Sequence, residues 1–428
     1  MDKRLVTREI FKDVSAHLKE REVTVVTGAR QTGKTTLLLQ LKEWLINSCG
    51  IKETQILFFN LDLINDFTNL QSQGDFIKYL REEIAQHKFL YVFIDEVQRL
   101  TDPGRFLKGI YDIKLPVKII VSGSSSLEIR SRVSESLTGR KRIFHLWPFS
   151  FSEYISHYAP TLTNPLNRDD MSGVNKRKII EHMHDFLVFG GYPRLVSAKN
   201  NEDRMAILNE IYSSYIEKDI VGFMKVKSPI AFSKMVALLG DQIGGLVNLH
   251  EISATLGLNF RTAENYLFAL ENTFVINLAR PYFTNARKEL TKMPKVYFAD
   301  PGLRNLAVKY FAPFSENRDK GKLLENFVAA SLVRQPQTAV NYWRTKDKAE
   351  VDFILKDYHG HITPIEVKAA ELNSPDITKG LRAFIDKYKP SKAIVVNLSL
   401  EKNVKLSYTR VNFILPYSLE HLLQSSSK

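Results

Sequence analysis

The sequence predicts an α/β protein: a parallel sheet first, then a helical stretch, then a second α/β region. Three observations predict it. Up to about Trp147, short apolar runs alternate with amphipathic helical patterns, the order that yields a parallel sheet with helices on both faces. A glycine-containing turn leads from the first run straight into a helix. Near the C-terminus, apolar runs return in hairpin order.

The chain has 428 residues, enough for two to four domains at about 150 residues each. Lys plus Arg is 60 and Asp plus Glu 47, a formal net charge of +13, which suits a polyanion partner such as nucleic acid. Hydrophobic residues are 44% and charged residues 25%, which argues against wholesale disorder. Cys49 is the single cysteine. An intrachain disulfide and a cysteine-based zinc module are therefore excluded, and a cytoplasmic, reducing compartment is expected. The start, MDKRLVTREIFKDV, lacks the apolar core of a signal peptide. No apolar run approaches the roughly 20 residues of a membrane helix, so no membrane association is expected.

Strands are expected at residues 23–26, 56–59, 90–94 and 117–121. The turn after the first is Gly28-Ala29-Arg30-Gln31-Thr32-Gly33-Lys34-Thr35, followed by Thr36 and three leucines. It fits G-x-x-x-x-G-K-[ST] between a strand and a helix, the P-loop context. Glycines permit a tight loop whose N–H groups face phosphate, Lys34 brings a charge to the β and γ phosphates, and Thr35 offers a hydroxyl to Mg²⁺. ATP or ADP with Mg²⁺ is the ligand this chemistry takes. The third strand ends in Asp95-Glu96. Asp95 can hold Mg²⁺ through water, and Glu96 can polarise the attacking water. The fourth strand runs into Ser122-Gly123-Ser124-Ser125-Ser126, where Ser124 can bond the γ-phosphate or the water; a plain small-residue turn is the other reading. Arg140 ends Ser136-Leu137-Thr138-Gly139 and can act as a finger on a neighbouring subunit's ATP in a homo-oligomer, with Arg130, Arg132 and Arg142 as rivals.

Residues 148–223 are aromatic and helical, with a polar loop expected at 161–175. In residues 224–306 a helix ends at Gly257, Asn259 caps a second, and two strands flank a basic segment containing Arg287, Lys288 and Lys292. That order is a winged-helix pattern. Arg261 and Asn265 lie one turn apart on the second helix and can face a DNA groove; Glu264 and Glu271 on that helix favour packing or protein contact instead.

Residues 307–428 open with a helix carrying Glu325 and continue into strands containing Asp352 and Glu366. Strand alternation puts Glu366 and Lys368 on one face, and Asp352 can sit opposite Glu366 across the hairpin. Glu325, Asp352 and Glu366 then make a candidate Mg²⁺ or Mn²⁺ site, with Lys368 serving the attacking water and the phosphate. A fold that keeps these acids without cleaving is the alternative.

The set TGARQTGKTT, FIDEVQ, SGSSSLEI, SLTGR and FGGYPR resembles the prokaryotic AAA+ ATPases of the archaeal, STAND-like branch. That resemblance implies an AAA+ core at 1–147 with a helical lid at 148–223. It also implies that Pro193, in Gly-Gly-Tyr-Pro, lies near the adenine; an ordinary helix terminator is the other reading of that segment. Arg194 falls where a second sensing arginine could stand. KVYFADPGLRN, LLENFV, YWRTKDKAEVDF and IEVK resemble the C-terminal domain of unknown function found in such ATPases, and the acids resemble the PD-(D/E)XK nuclease arrangement. His182 and His184, two apart on a helix, do not share a face and are not read as metal ligands, and His359 and His361, which border a hairpin turn, are read as solvent-exposed.

Overall fold

The computed structural model describes residues 5–124, 137–163, 171–215, 228–282, 293–335, 339–357 and 359–425. The chain divides into two compact units, the first running to Pro148 and taking in Asn272–Phe274, the second taking the described residues from Phe149 onward apart from those three.

The first unit is a five-stranded sheet, β1 (Val23–Gly28), β2 (Ile56–Asn60), β3 (Leu90–Asp95), β4 (Val117–Ser124) and β5 (Lys141–His145), in the order β2-β3-β4-β1-β5. All pairings are parallel. Alternate residues feed two cores. Val26, Phe93 and Ile120 face helices α1 (Phe11–His17) and α2 (Lys34–Asn47). Val25, Val92, Ile94 and Val121 face α4 (Gln73–His87) and α5 (Pro103–Asp112), with α3 (Ile64–Asn69) following β2. The four expected strands are present. The fifth, KRIFH, escapes sequence reading because its basic alternation is that of an exposed edge. β4 lies between β1 and β3, so its polar C-terminal end stands between the ends of those strands.

The second unit begins with helices α6 (Phe151–Tyr158), α7 (Gly173–Phe189), α8 (Asn201–Tyr215), α9 (Pro229–Asp241), α10 (Leu249–Leu256) and α11 (Phe260–Asn272). Residues 164–170 of the expected loop at 161–175 lie outside the described residues; α7 starts at Gly173, within the expected loop, because the Ser172 hydroxyl caps it, accepting from Asn175 N. Asn259 caps α11 as its sequence suggests, accepting from Thr262 N at 2.8 Å.

The remaining strands form one mixed sheet: β6 (Ile276–Pro281), β7 (Lys295–Phe298), β8 (Ala339–Arg344), β9 (Glu350–Lys356), β10 (Ile362–Val367), β11 (Lys392–Val396), β12 (Lys402–Leu406) and β13 (Thr409–Ile414), ordered β12-β13-β11-β10-β9-β8-β6-β7. The two strands read as a wing are thus the edge of this larger sheet. β6 pairs with β8 in parallel, Arg280 opposite Asn341, which gives the hairpin's open backbone a partner. Arg287, Lys288 and Lys292 lie outside the described residues.

α13 (Lys320–Val333) packs against the sheet, and α14 (Lys379–Tyr388) covers Val351, Val395 and Phe413. α12 (Pro301–Ala307) is capped by Asp300, which is buried and accepts from Leu303 N at 3.1 Å and from Gly191 N at 2.8 Å. Burial pushes the Asp300 carboxyl up to about 6, against the pull of those N–H groups. α15 (Ser418–Ser425) sends Glu420 to the first turn of α6, where it accepts from Phe151 N and Ser152 N at 3.2 and 3.1 Å, a carboxylate at a helix N-terminus. Among the described residues no helix is long and apolar enough to cross a membrane.

Candidate functional site

The loop Ala29–Gly33 connects β1 to α2 at the C-terminal end of the sheet. Two glycines make it possible. Gly33 sits at φ +92°, a left-handed conformation that costs other residues energy. A β-carbon at Gly28 would overlap the Leu146 carbonyl oxygen. Inside the loop, Thr32 Oγ1 donates to Ala29 O at 2.9 Å. The buried Lys34 ammonium donates to Ala29 O at 2.9 Å and Gly28 O at 3.2 Å. Arg30, Gln31 and Thr36 are half-buried.

Asp95 ends β3, buried, with a full set of partners. Thr35 Oγ1 donates to its Oδ2 at 2.6 Å, the Ser122 hydroxyl donates to its Oδ1, and Glu96 N donates to Oδ1 at 3.1 Å. Thr35 and Asp95 therefore stand together as the two hard oxygen groups that Mg²⁺ takes while keeping its waters. Glu96 has φ +58°, an unusual conformation for a residue with a β-carbon. Its carboxylate accepts from Gln98 Nε2, which also reaches Ser124 Oγ at 3.1 Å. The structure thus joins Thr35, Asp95, Glu96 and Ser124, and adds Ser122 and Gln98, which the sequence reading missed. Ser122 had a signal: it alternates with Ser124 on β4, so both point to one face.

Arg140 lies elsewhere in the unit. It precedes β5 beside Val23, the first residue of β1, whereas the phosphate loop follows the last; it pairs with Asp112 at 2.8 Å. Its own chain's loop is across the length of the sheet. Arg142 stacks on Phe144, and Arg130 and Arg132 lie outside the described residues. Pro193 opens a short turn in the second unit, and Arg194 pairs with Glu210.

The C-terminal acids are neighbours with different partners from those expected. The β9–β10 register sets Ile365 opposite Phe353, and Asp352 Oδ2 accepts from Val367 N at 2.8 Å. Burial raises Asp352 well above the carboxylate range, with Glu325 and Glu366 adding to it. Burial likewise pushes Glu366 up to about 7, opposed by the Thr378 hydroxyl and Lys368. Glu325 is taken by two groups the sequence reading missed: Tyr297 Oη at 2.6 Å and Lys295 Nζ at 3.3 Å. Lys295 is only 4% exposed and also reaches Glu350 at 2.5 Å. Burial alone would lower the Lys295 ammonium, but Glu325, Asp352 and Glu350 outweigh it and hold it above the usual lysine range. Lys368 turns to Asp376 on the surface. Among the described residues no three His, Cys, Asp or Glu side chains are arranged to hold a metal ion. Of the three candidate acids, Glu325 is already held by the Lys295 ammonium.

Comparison with known proteins agrees with the first unit's geometry. Residues 20–155 match the family model described as AAA domain. Residues 180–313 and 320–419 match two domains of unknown function, DUF8612 and DUF4143. An uncharacterized protein of Haemophilus influenzae is 26% identical over 364 residues, covering 83% of this chain and 85% of its own. One of Mycobacterium tuberculosis is 27% identical over 398 residues, covering 90% and 79%. Among solved structures, a Walker-type ATPase of Pyrococcus abyssi superposes with a TM-score of 0.46 at 15% identity, covering 72% of this chain and 97% of that one. The N-terminal region, which carries the phosphate loop, the paired acids and the parallel sheet, is thus similar to the AAA domain family.

Proposed function

We propose that this protein is a Mg-ATP-hydrolysing switch whose second unit acts on DNA. The observation that carries the ATPase half is the chain Thr35–Asp95–Ser122 beside Glu96–Gln98–Ser124. In this reading the loop N–H groups and Lys34 hold the phosphates, Thr35 and Asp95 hold Mg²⁺, and Glu96 orients water once Gln98 moves to the γ-phosphate. Positioning and charge stabilisation are most of what phosphoryl transfer needs. Arg140, too far along the sheet to reach its own loop, serves a neighbouring copy. The test is Glu96→Gln: ATP binding should persist while turnover falls at least about 100-fold, the range for removing a general base. Turnover at the wild-type rate would remove Glu96 from that role.

The DNA half rests on the net charge of +13 and on the α10–α11 pair, whose exposed face carries Arg261 and Asn265. The basic segment with Arg287, Lys288 and Lys292 supplies phosphate contacts. Replacing those three with Ala should flatten the slope of log K against log salt by about 0.9 per lost contact on duplex DNA. An unchanged slope would assign the helix pair to protein contact.

Within this reading the form without cleavage is better supported, as a nucleotide-gated DNA-binding or partner-binding switch. The specific observation is Lys295 bound to Glu325 and Glu350. The cleaving form needs Glu325, Asp352 and Glu366 free for Mg²⁺ or Mn²⁺ and Lys368 released from Asp376. Metal-dependent cleavage of linear, branched or single-stranded DNA, abolished by Asp352→Asn, would reverse the preference.

A further inference from the structure

The phosphate loop is held from outside its own motif. Arg8 lies in the segment before α1 and is 7% exposed. Its Nη1 donates to Thr32 O at 2.7 Å. Its Nη2 donates to Trp147 O at 2.6 Å and lies 3.5 Å from Pro148 O. Thr32 is the residue before Gly33, and Trp147-Pro148 are where the chain leaves the first unit. A planar guanidinium carries its donors in a fixed fork, so one side chain can hold two carbonyls from separate segments; an ammonium has no such geometry.

The Thr32 contact has a consequence for the loop. A trans peptide points its C=O and the next N–H in opposite directions. Fixing Thr32 O on Arg8 therefore turns the Gly33 N–H away from Arg8. The left-handed Gly33 itself leaves that peptide plane free to rotate, so an outside anchor is what selects one orientation. A second link ties the same segments: Leu146 N donates to Thr27 O at 2.7 Å.

We infer that Arg8 is a positioning residue of the nucleotide site, setting the Thr32–Gly33 peptide for phosphate and fastening it to the peptide that leads out of the first unit. The inference rests on the ATP-binding reading above. It also gives a route for that reading's switch, since a change in the loop is felt at Trp147 through one side chain.

The test uses the full chain with Arg8→Ala and Arg8→Lys, read by titration with a fluorescent ADP analogue, by steady-state ATP hydrolysis and by amide hydrogen exchange. In Arg8→Ala, Kd and KM should rise about tenfold, the worth of a charged hydrogen bond, while kcat falls less than about threefold. Exchange should quicken at residues 28–35 and at Leu146 and Trp147. Arg8→Lys should recover part of the affinity, and it carries the test if Arg8→Ala does not fold. Wild-type affinity in both variants would overturn the inference. So would a loss of affinity with unchanged exchange at those amides, since Arg8 would then touch nucleotide itself. If the wild-type protein binds no nucleotide, the ATP reading fails on its own, and unchanged exchange in the nucleotide-free variants is what overturns the Arg8 tether.

Discussion

At the phosphate loop, Asp95 and Glu96 are met by neutral donors: two hydroxyls, a backbone N–H and the Gln98 amide. At the C-terminal sheet, Glu325 and Glu350 are met by the buried ammonium of Lys295, and Glu325 also by the Tyr297 hydroxyl. Neutral donors orient a carboxylate and leave its charge in place, so the first site can still recruit a cation. A lysine cancels the charge it binds. The two acid clusters therefore differ in what meets them, and the lysine that meets the second belongs to neither acid motif.

The sharpest way to break this comparison is to remove the lysine. Lys295→Met should destabilise the second unit by about 3–5 kcal/mol, because it leaves buried acids uncompensated. Urea unfolding without metal would measure the loss, and adding Mn²⁺ should restore part of it, whereas the wild type should gain nothing from Mn²⁺. A wild-type gain that disappears in Asp352→Asn would make the C-terminal cluster a true metal site and erase the contrast.

Asp300 sharpens the comparison with a third arrangement, a buried carboxyl met by backbone N–H groups. Its folded value is raised from 3.8 to about 6. The folded state therefore holds this proton to higher pH than the unfolded chain. The contribution is complete below pH 3.8 and is lost as pH rises through about 6, amounting to about 1–3 kcal/mol. Stability of the second unit should fall between about pH 4 and pH 6, the interval between the unfolded and folded values, and Asp300→Asn should flatten that fall. An equal fall in the variant would place the titration on other groups.

The smallest effect is expected at the exposed counterpart of Lys295. Arg140 pairs with Asp112 where both are about one-third or more open to solvent, so Asp112→Ala should change stability by less than about 1 kcal/mol. A thermal melt that moved as far as that of Lys295→Met would contradict the distinction between buried and exposed pairs.

Much of the first unit is legible in the sequence. Four strands, the loop from Gly28 to Thr35 and the acids at 95 and 96 follow from periodicity and a motif with a physical reason for each position. β5 is not legible, because an edge strand need not be apolar. Ser124 is the choice the sequence favours over Ser122, yet both belong to the network, since they alternate onto the same face. In the second unit, hairpin alternation pairs Asp352 with Glu366 and the preceding helix offers Glu325; both glutamates add to the rise of the Asp352 carboxyl. Lys295 and Tyr297 escape notice, because they sit on a strand that the sequence assigns to a wing.

By itself the sequence determined the local devices: four strands of the first unit, where Gly33 allows the loop to turn, which helix Asn259 caps. These depend on residues within a few positions of one another. The tertiary structure decided what each charged group meets. It brought Arg8 to Thr32 and Trp147, turned Lys368 to Asp376, and set β7 beside β6 at the edge of an eight-stranded sheet, so that Lys295 reached Glu325 and Glu350. Partners far apart in the chain leave no periodic trace in it. Their encounter follows from packing and strand order, and the charge balance of each site follows from that encounter.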